Sequence, residues 1–343
     1  MFAPAPLWAS GATYYVATSG SDTNSGTQSA PWATLQKALG SISSGDMVII
    51  RGGIYRQPGS MIGYPYKSFG PAGTAGNLTT FKSYPGERVI ITGPNNDLIQ
   101  IAVADYVRID SLWFGGDYVT GIKGPVFQIS GVGKEIVNNT FFNWPSGPLM
   151  GWGENVLFQG NRLVNTGRDV HTAGTYFSSG YATDGKLSNH IIADHNIYIG
   201  NNISAGYGFQ FWHGGKSMIA TRNFVAGHSW GSAIDGDSQL WANNFYWKQT
   251  GKDSDIDTVI NPYGPLSGGS NQKYINNIFG PSAWFYYANA WKATQAEIDT
   301  KLSNNAFTDD PSYLPGSGGP TCKKRSEERR VGKECRSRWS PYH

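Results

Sequence analysis

The sequence predicts an all-β solenoid of short stacked coils, and three observations carry that expectation. The first is composition: 45 glycines, 19 tyrosines, 16 phenylalanines and 12 tryptophans among 343 residues, with only 15% charged, suit many short strands joined by tight turns. The second is a returning phrase. From about Leu98 an apolar-alternating strand, a glycine turn, a second strand and then Asn with an aromatic or aliphatic pair recur, as in "VFQISGVGKEIVNNTFF", "LMGWGENVLFQGNRLV" and "GFQFWHGGKSMIATRNFV". The third is the lack of helical periodicity. No window offers i, i+3, i+4, i+7 apolar spacing over three turns without glycine, except "PWATLQKALGSI" near the start.

Taken in chain order, the opening "MFAPAPLWASGATYYVA" reads as the end of an apolar segment followed by a small-residue cleavage region, so residues 1–13 are expected to be the remnant of an export signal. An ordinary unstructured terminus is the alternative. The segment "TLQKALGSI" is expected to form a short helix capping the open end of the solenoid, which would otherwise expose a sheet edge and apolar core. A single domain is expected over 14–315, with an N-terminal cap at about 14–60 and coils at about 80–310.

Anchoring the phrase on its Asn gives Asn139, Asn161, Asn196, Asn223, Asn244 and Asn277, at spacings of 22, 35, 27, 21 and 33 residues. The short spacings set the coil and the long ones hold loop insertions. A unit of this size cannot bury its apolar side alone, so coils must stack and pair in parallel, about 4.8 Å apart. The Asn is expected to take the left-handed conformation at a tight corner and to hydrogen-bond its amide up and down the stack.

The end of the chain breaks abruptly from this pattern. "CKKRSEERRVGKECRSRWSPYH" holds 8 of the 27 Lys and Arg and 3 of the 24 Asp and Glu, leaving 19 basic against 21 acidic residues elsewhere, a net of −2. Residues 316–343 therefore read as a disordered, non-native tail rather than a basic arm for nucleic acid. Both cysteines, Cys322 and Cys335, lie in it, so the body carries no disulfide framework or thiolate metal site. No run of 18 apolar residues exists to span a membrane.

Two stretches near the start carry a resemblance. "YYVATSGSDTNSGTQSAPWATLQKALGSISSGDMVIIRGGIYRQ" and "FKSYPGERVIITG" resemble the N-terminal cap and first coils of secreted right-handed parallel β-helix proteins of the pectate-lyase-like superfamily. The resemblance covers Tyr14 to about Pro311 and implies a right-handed parallel β-helix, exported in the bacterial manner to the periplasm, cell surface or medium. It implies a carbohydrate-active protein acting on a polysaccharide or oligosaccharide. It also implies that a lyase would take the sugar C5 proton with Arg, Lys or a His/Tyr pair, often with Ca²⁺ nearby.

Candidate site residues follow from strand alternation, which stacks outward side chains into columns. One expected column is Gln100, Gln128, Met150, Tyr176, Gln210 and Asp235; its neighbour is Ser130, Trp152, Ser178, Trp212 and Asp237. Trp152 and Trp212 suit stacking on sugar rings, with Gln128, Gln210 and Arg168 reaching hydroxyls or charge; packing beneath loop insertions is the other reading for the tryptophans. Asp235 and Asp237 lie two apart on a strand, about 6.5 to 7 Å between Cα atoms on one face. Such a pair could divide acid and base roles in glycoside hydrolysis or take part in a Ca²⁺ site; a solvated glycine turn is the alternative. Five of the six histidines, His171, His190, His195, His213 and His228, fall within 58 residues. His171 with Tyr176 forms a neutral base pair, and Lys216 and His213 follow Trp212, so the catalytic candidates are Asp235, Asp237, His171, Tyr176, Lys216 and His213. The first reading is a secreted lyase of uronate-containing glycans working in a cleft along the first sheet. A glycoside hydrolase using the Asp pair and a non-catalytic glycan-binding, adhesion or tailspike-type solenoid are the alternatives.

Overall fold

The computed structural model describes residues 11–56, 68–93, 101–115, 127–143, 149–166, 173–178, 188–200, 207–228, 230–247, 258–262, 273–279, 284–285, 302–303 and 306–307, in some strands as backbone only. Within them lie thirty strands and one helix. Every strand-to-strand ladder is parallel, and each strand pairs with the corresponding strand one coil away. A coil therefore has three sides. Phe127–Ile129, Glu135–Val137 and Thr140–Phe142 make one coil, and Leu149–Gly151, Glu154–Gln159 and Arg162–Val164 the next. Strands of the first and second sides merge into a 20-stranded sheet, and those of the third side form a 10-stranded sheet.

Alternation along these strands builds the core in rows. On the second face Val48, Phe81, Ile109, Ile136, Phe158, Ala193, Ala220 and Trp241 occupy successive register positions, all fully buried. On the third face Tyr55, Ile91, Phe114, Phe141, Leu163, Tyr198, Val225 and Tyr246 form the matching row. Each large apolar side chain so buried is worth about 1.5 to 3 kcal/mol. The stack reaches back to Thr13–Val16, which pairs with Met47–Ile50. The one helix, Leu35–Ser41, begins where the sequence predicts it, with Thr34 as N-cap accepting from the Lys37 N–H, and sends Leu35 and Ala38 into the same core.

The corner between second and third faces carries the Asn ladder. Asn139, Asn161, Asn196, Asn223, Asn244 and Asn277 are almost wholly buried. At each step the Oδ1 of one Asn accepts the backbone N–H and the side-chain amide of the Asn one coil earlier, for example Asn196 N to Asn223 Oδ1 at 2.9 Å and Asn196 Nδ2 to the same oxygen at 3.0 Å. The Nδ2 also donates across the coil to a main-chain carbonyl, as from Asn223 to Ala193 at 2.9 Å. The left-handed residue, however, is the one before: Asn138, Gly160, His195, Arg222, Asn243 and Asn276 have φ between 53° and 66°. The expectation that the repeating Asn itself takes that conformation is thereby corrected. The turn and the amide are separate jobs held by neighbouring positions, because a residue that points its amide into the core cannot also be the one that reverses the chain.

Candidate functional site

Gln128, Met150, Tyr176 and Gln210 stand in one register column on the first face, as expected. Both ends of that column differ. Gln128 pairs with Ala102 on the preceding coil, and Gln100 lies outside the described residues; Gln210 pairs with Ala233 on the following coil, so Asp235 does not stack on Gln210. The neighbouring column changes too. Ser178 pairs with Trp212 as expected, but the register shifts between Phe211 and Gly215, and Asp237 pairs with Lys216 rather than Trp212. The reason is a bulge: Trp212, His213 and Gly214 fill the space that Asp235 alone fills on the next strand. A glycine pair, Gly214–Gly215, lets the chain make that irregular step.

Tyr176, Gln210, Trp212, His213, Lys216, Asp235 and Asp237 nevertheless share three consecutive strands, Ala173–Ser178, Tyr207–Lys216 and Trp230–Asp237. Tyr176 is half-buried and Lys216 exposed. Trp152 follows Leu149–Gly151, half-buried, its backbone N–H donating to Ile129 at 2.9 Å. His171 and Arg168 lie outside the described residues. Phe209 and Phe211 pair in register with Thr175 and Phe177, and Thr175 and Phe177 are fully buried.

The strand Tyr207–Lys216 does more than cross the first face. Its last residue turns the corner onto the second face, where Lys216 pairs with Asn189. Asn189 pairs with Glu154, and Glu154 bridges to Val132. One row thus runs Glu154, Asn189, Lys216, Asp237 across four coils. The residues that follow, Asn155, His190, Ser217 and Ser238, have φ of 50° to 54° and make the turn, and the next, Val156, Ile191, Met218 and Gln239, are buried. Glu154, Asn155, His190, Lys216 and Ser238 are exposed. Glu154, Asn189 and His190 were not among the candidates, although "GENV", "SNHI", "GKSM" and "GDSQ" repeat as small, polar, polar, then buried.

Next to the start of this row, at Val132, a buried lysine is paired with a partly exposed carboxylate. Asp105 accepts from the Val132 N–H at 2.9 Å and from Lys134 Nζ at 2.7 Å, and Lys134 is fully buried at an inward position. Burial pushes the Lys134 ammonium below its ordinary value against the pull of Asp105. Burial would raise the Asp105 carboxyl, but the bonds from Lys134 and the Val132 N–H outweigh it and hold it low.

Comparison with known proteins bears on the fold. Residues 14–143 match the family model described as the Pel9A-like right-handed β-helix region. The fold is a right-handed parallel β-helix. Among solved structures, a rhamnogalacturonan lyase superposes with a TM-score of 0.54 at 14% identity, over 86% of this chain and 87% of that one. A structure of XylC with xylose gives 0.57 at 11% identity, over 86% and 68%. An alginate lyase from Paenibacillus sp. str. FPU-7 gives 0.52 at 12% identity, over 86% and 95%. A search among curated proteins finds no match. Among the described residues no helix is long and apolar enough to cross a membrane.

Proposed function

We propose that the chain is a secreted carbohydrate-active enzyme that cleaves a uronate-containing polysaccharide by β-elimination on the first face, at its corner with the second. The observation that carries this reading is the pairing of exposed Lys216 with Asp237 one rung away, on strands that also hold Tyr176, Gln210 and Trp212. β-Elimination needs three things: a base to take the proton beside the uronate carboxyl, positive charge against that carboxylate as the carbanion forms, and a proton for the leaving oxygen. The electrons of the broken C5–H bond form the C4–C5 double bond as the C4–O bond breaks. Lys216 is the candidate for charge or base, and Tyr176 for the proton donor. The rhamnogalacturonan and alginate lyases that share this fold act, by their names, on such polymers.

Asp235 and Asp237 are the residues that would contribute to a Ca²⁺ ion. Two carboxylates fill only part of its six to eight oxygen ligands, and among the described residues no group of three or more His, Cys, Asp or Glu converges. The proposed elimination routes no step through a metal.

The test is a panel of acidic and neutral polysaccharides, with and without added Ca²⁺, followed for unsaturated products by ultraviolet absorbance and for reducing ends. Unsaturated products from an acidic polymer are expected, and Lys216→Ala should lower their rate by about 10²-fold or more. Reducing ends without unsaturation would replace the lyase with a hydrolase using the Asp pair. Binding without either product would make the chain a glycan-binding solenoid.

A further inference from the structure

The second face carries an outward row whose chemistry changes part-way along the solenoid. In register order it runs Arg108, Glu135, Leu157, Ile192, Ile219, Leu240 and Lys273. Strand positions that face water are ordinarily polar, yet here four aliphatic side chains follow one another on successive rungs. Ile192 is 40% exposed, and Leu157, Ile219 and Leu240 are half-buried. Charge closes the stripe at both ends. Glu135 and Asp110 share the guanidinium of Arg108, two carboxylates against one cation, which leaves that end net negative; the other end is the exposed Lys273. The adjacent outward row, Gln159, Asp194 and Thr221, is satisfied within the chain, because Asp194 accepts from Gln159, Thr221 and Arg222. It can be covered without stranding a charge.

A stripe that is aliphatic in the middle, acidic at one end and basic at the other is complementary to itself turned end for end. Rotating a second copy by 180° about the strand direction reverses the solenoid axis and keeps the rows in line. It sets Ile192 of each copy against Ile219 of the other, Leu157 against Leu240 and Glu135 against Lys273. A two-fold along the solenoid axis would instead set Glu135 on Glu135 and Lys273 on Lys273, which like charge opposes. We infer that the second face is a self-association surface, closing an antiparallel two-fold dimer of this chain. The six rungs from Glu135 to Lys273 extend about 24 Å, on a face two outward rows wide. The dimer therefore belongs with small, reversible interfaces and forms at micromolar concentrations or above. The contact lies on a different face from the proposed elimination and does not depend on it.

Sedimentation velocity of the full chain at low ionic strength, from about 1 to about 200 μM, tests this. A monomer-dimer equilibrium is expected. Ile192→Asp and Ile219→Asp each place a carboxylate in the centre of the contact and should weaken the dimer by about 100-fold or more. Lys273→Glu turns two symmetric attractions into repulsions and should weaken it about tenfold. Glu135→Lys should do the same, and the two together should restore association to the wild-type level. Arg162→Glu, exposed on the third face, should leave it unchanged. Thermal melts confirm that each variant is folded; Glu135 also bonds Arg108, so Lys273→Glu decides alone if Glu135→Lys does not fold. A monomer at every concentration, or a dimer that persists in both Asp variants, overturns the inference. Wild-type association in Lys273→Glu, the result of a two-fold along the solenoid axis, or a folded double variant that stays weakened, overturns it equally.

Discussion

Lys134 is a lysine at a core position, in the inward place that Val107 and Val156 take on the adjacent coils. Its stem is apolar and its charge is met by one carboxylate, Asp105, whose side chain is 44% exposed. The two halves of the pair should respond differently to removal. Asp105→Ala leaves a buried ammonium unpaired and should cost about 3 kcal/mol or more, whereas Lys134→Met fills the core position and leaves Asp105 open to water, with stability close to wild type. Chemical denaturation of both variants checks the ordering. A second buried group works through pH. His228 is 2% exposed and its Nε2 has no hydrogen-bond partner among the described residues; burial pushes it down to about 4. The unfolded chain takes up that proton near 6.5, so stability should be whole above about 6.5 and fall as pH drops toward 4, by on the order of 3 kcal/mol. His228→Leu should flatten the melting temperature between those pH values. Asp194 acts lower on the scale. Burial would raise its carboxyl, but bonds from Arg222, Gln159, Thr221 and His195 hold it far below the usual range. Its stabilisation is present above about 3.9, the unfolded value, and is lost as pH falls further, which separates the two effects in a titration.

The strands themselves are too short to persist alone, many being three residues. What holds them is their corners, and the Asn ladder is the clearest of these. Asn223→Ala would remove the acceptor for the Asn196 N–H and its amide, and the donor to the Ala193 carbonyl. With each orphaned buried group costing about 1 to 3 kcal/mol, a loss of about 3 kcal/mol is expected, against about 1 kcal/mol for Asn243→Ala, the cost of a left-handed alanine. That contrast is informative because Asn243 is the exposed, left-handed neighbour of ladder residue Asn244; its side chain should matter less than its backbone angle, and Asn243→Gly should be tolerated. Gly151 marks a different constraint on an element. At φ +150°, a Cβ there would lie 1.8 Å from the Ile129 carbonyl oxygen, so Gly151→Ala should disturb the first face beside Trp152.

At the scale of the whole molecule, each coil touches only its neighbours, so stability should add as it does along a one-dimensional array. Asn139→Ala and Asn244→Ala, several coils apart, should sum to within about 0.5 kcal/mol, while Asn196→Ala with Asn223→Ala, which share hydrogen bonds, should not. Equilibrium denaturation of the two double variants decides this. The same stacking explains how much could be read beforehand. The coil length, the ladder positions, the helix at Leu35–Ser41 and the column Gln128, Met150, Tyr176, Gln210 follow from the period and the alternation, which are local properties of the chain. The partners of Asp235 and Asp237 do not. They depend on the bulge between Phe211 and Gly215, where the preceding strand spends extra residues, and a register is a relation between two segments that neither carries alone. For the same reason Glu154, Asn189, Lys216 and Asp237, dispersed over 84 positions of sequence, became one row only when four corners were brought into line. The sequence by itself determined that this chain must wind into coils and which side of each strand must face inward, because hydrophobic alternation leaves no other way to bury those residues. Only the tertiary structure decided which outward residues meet, because parallel pairing adds up every insertion and bulge between one coil and the next.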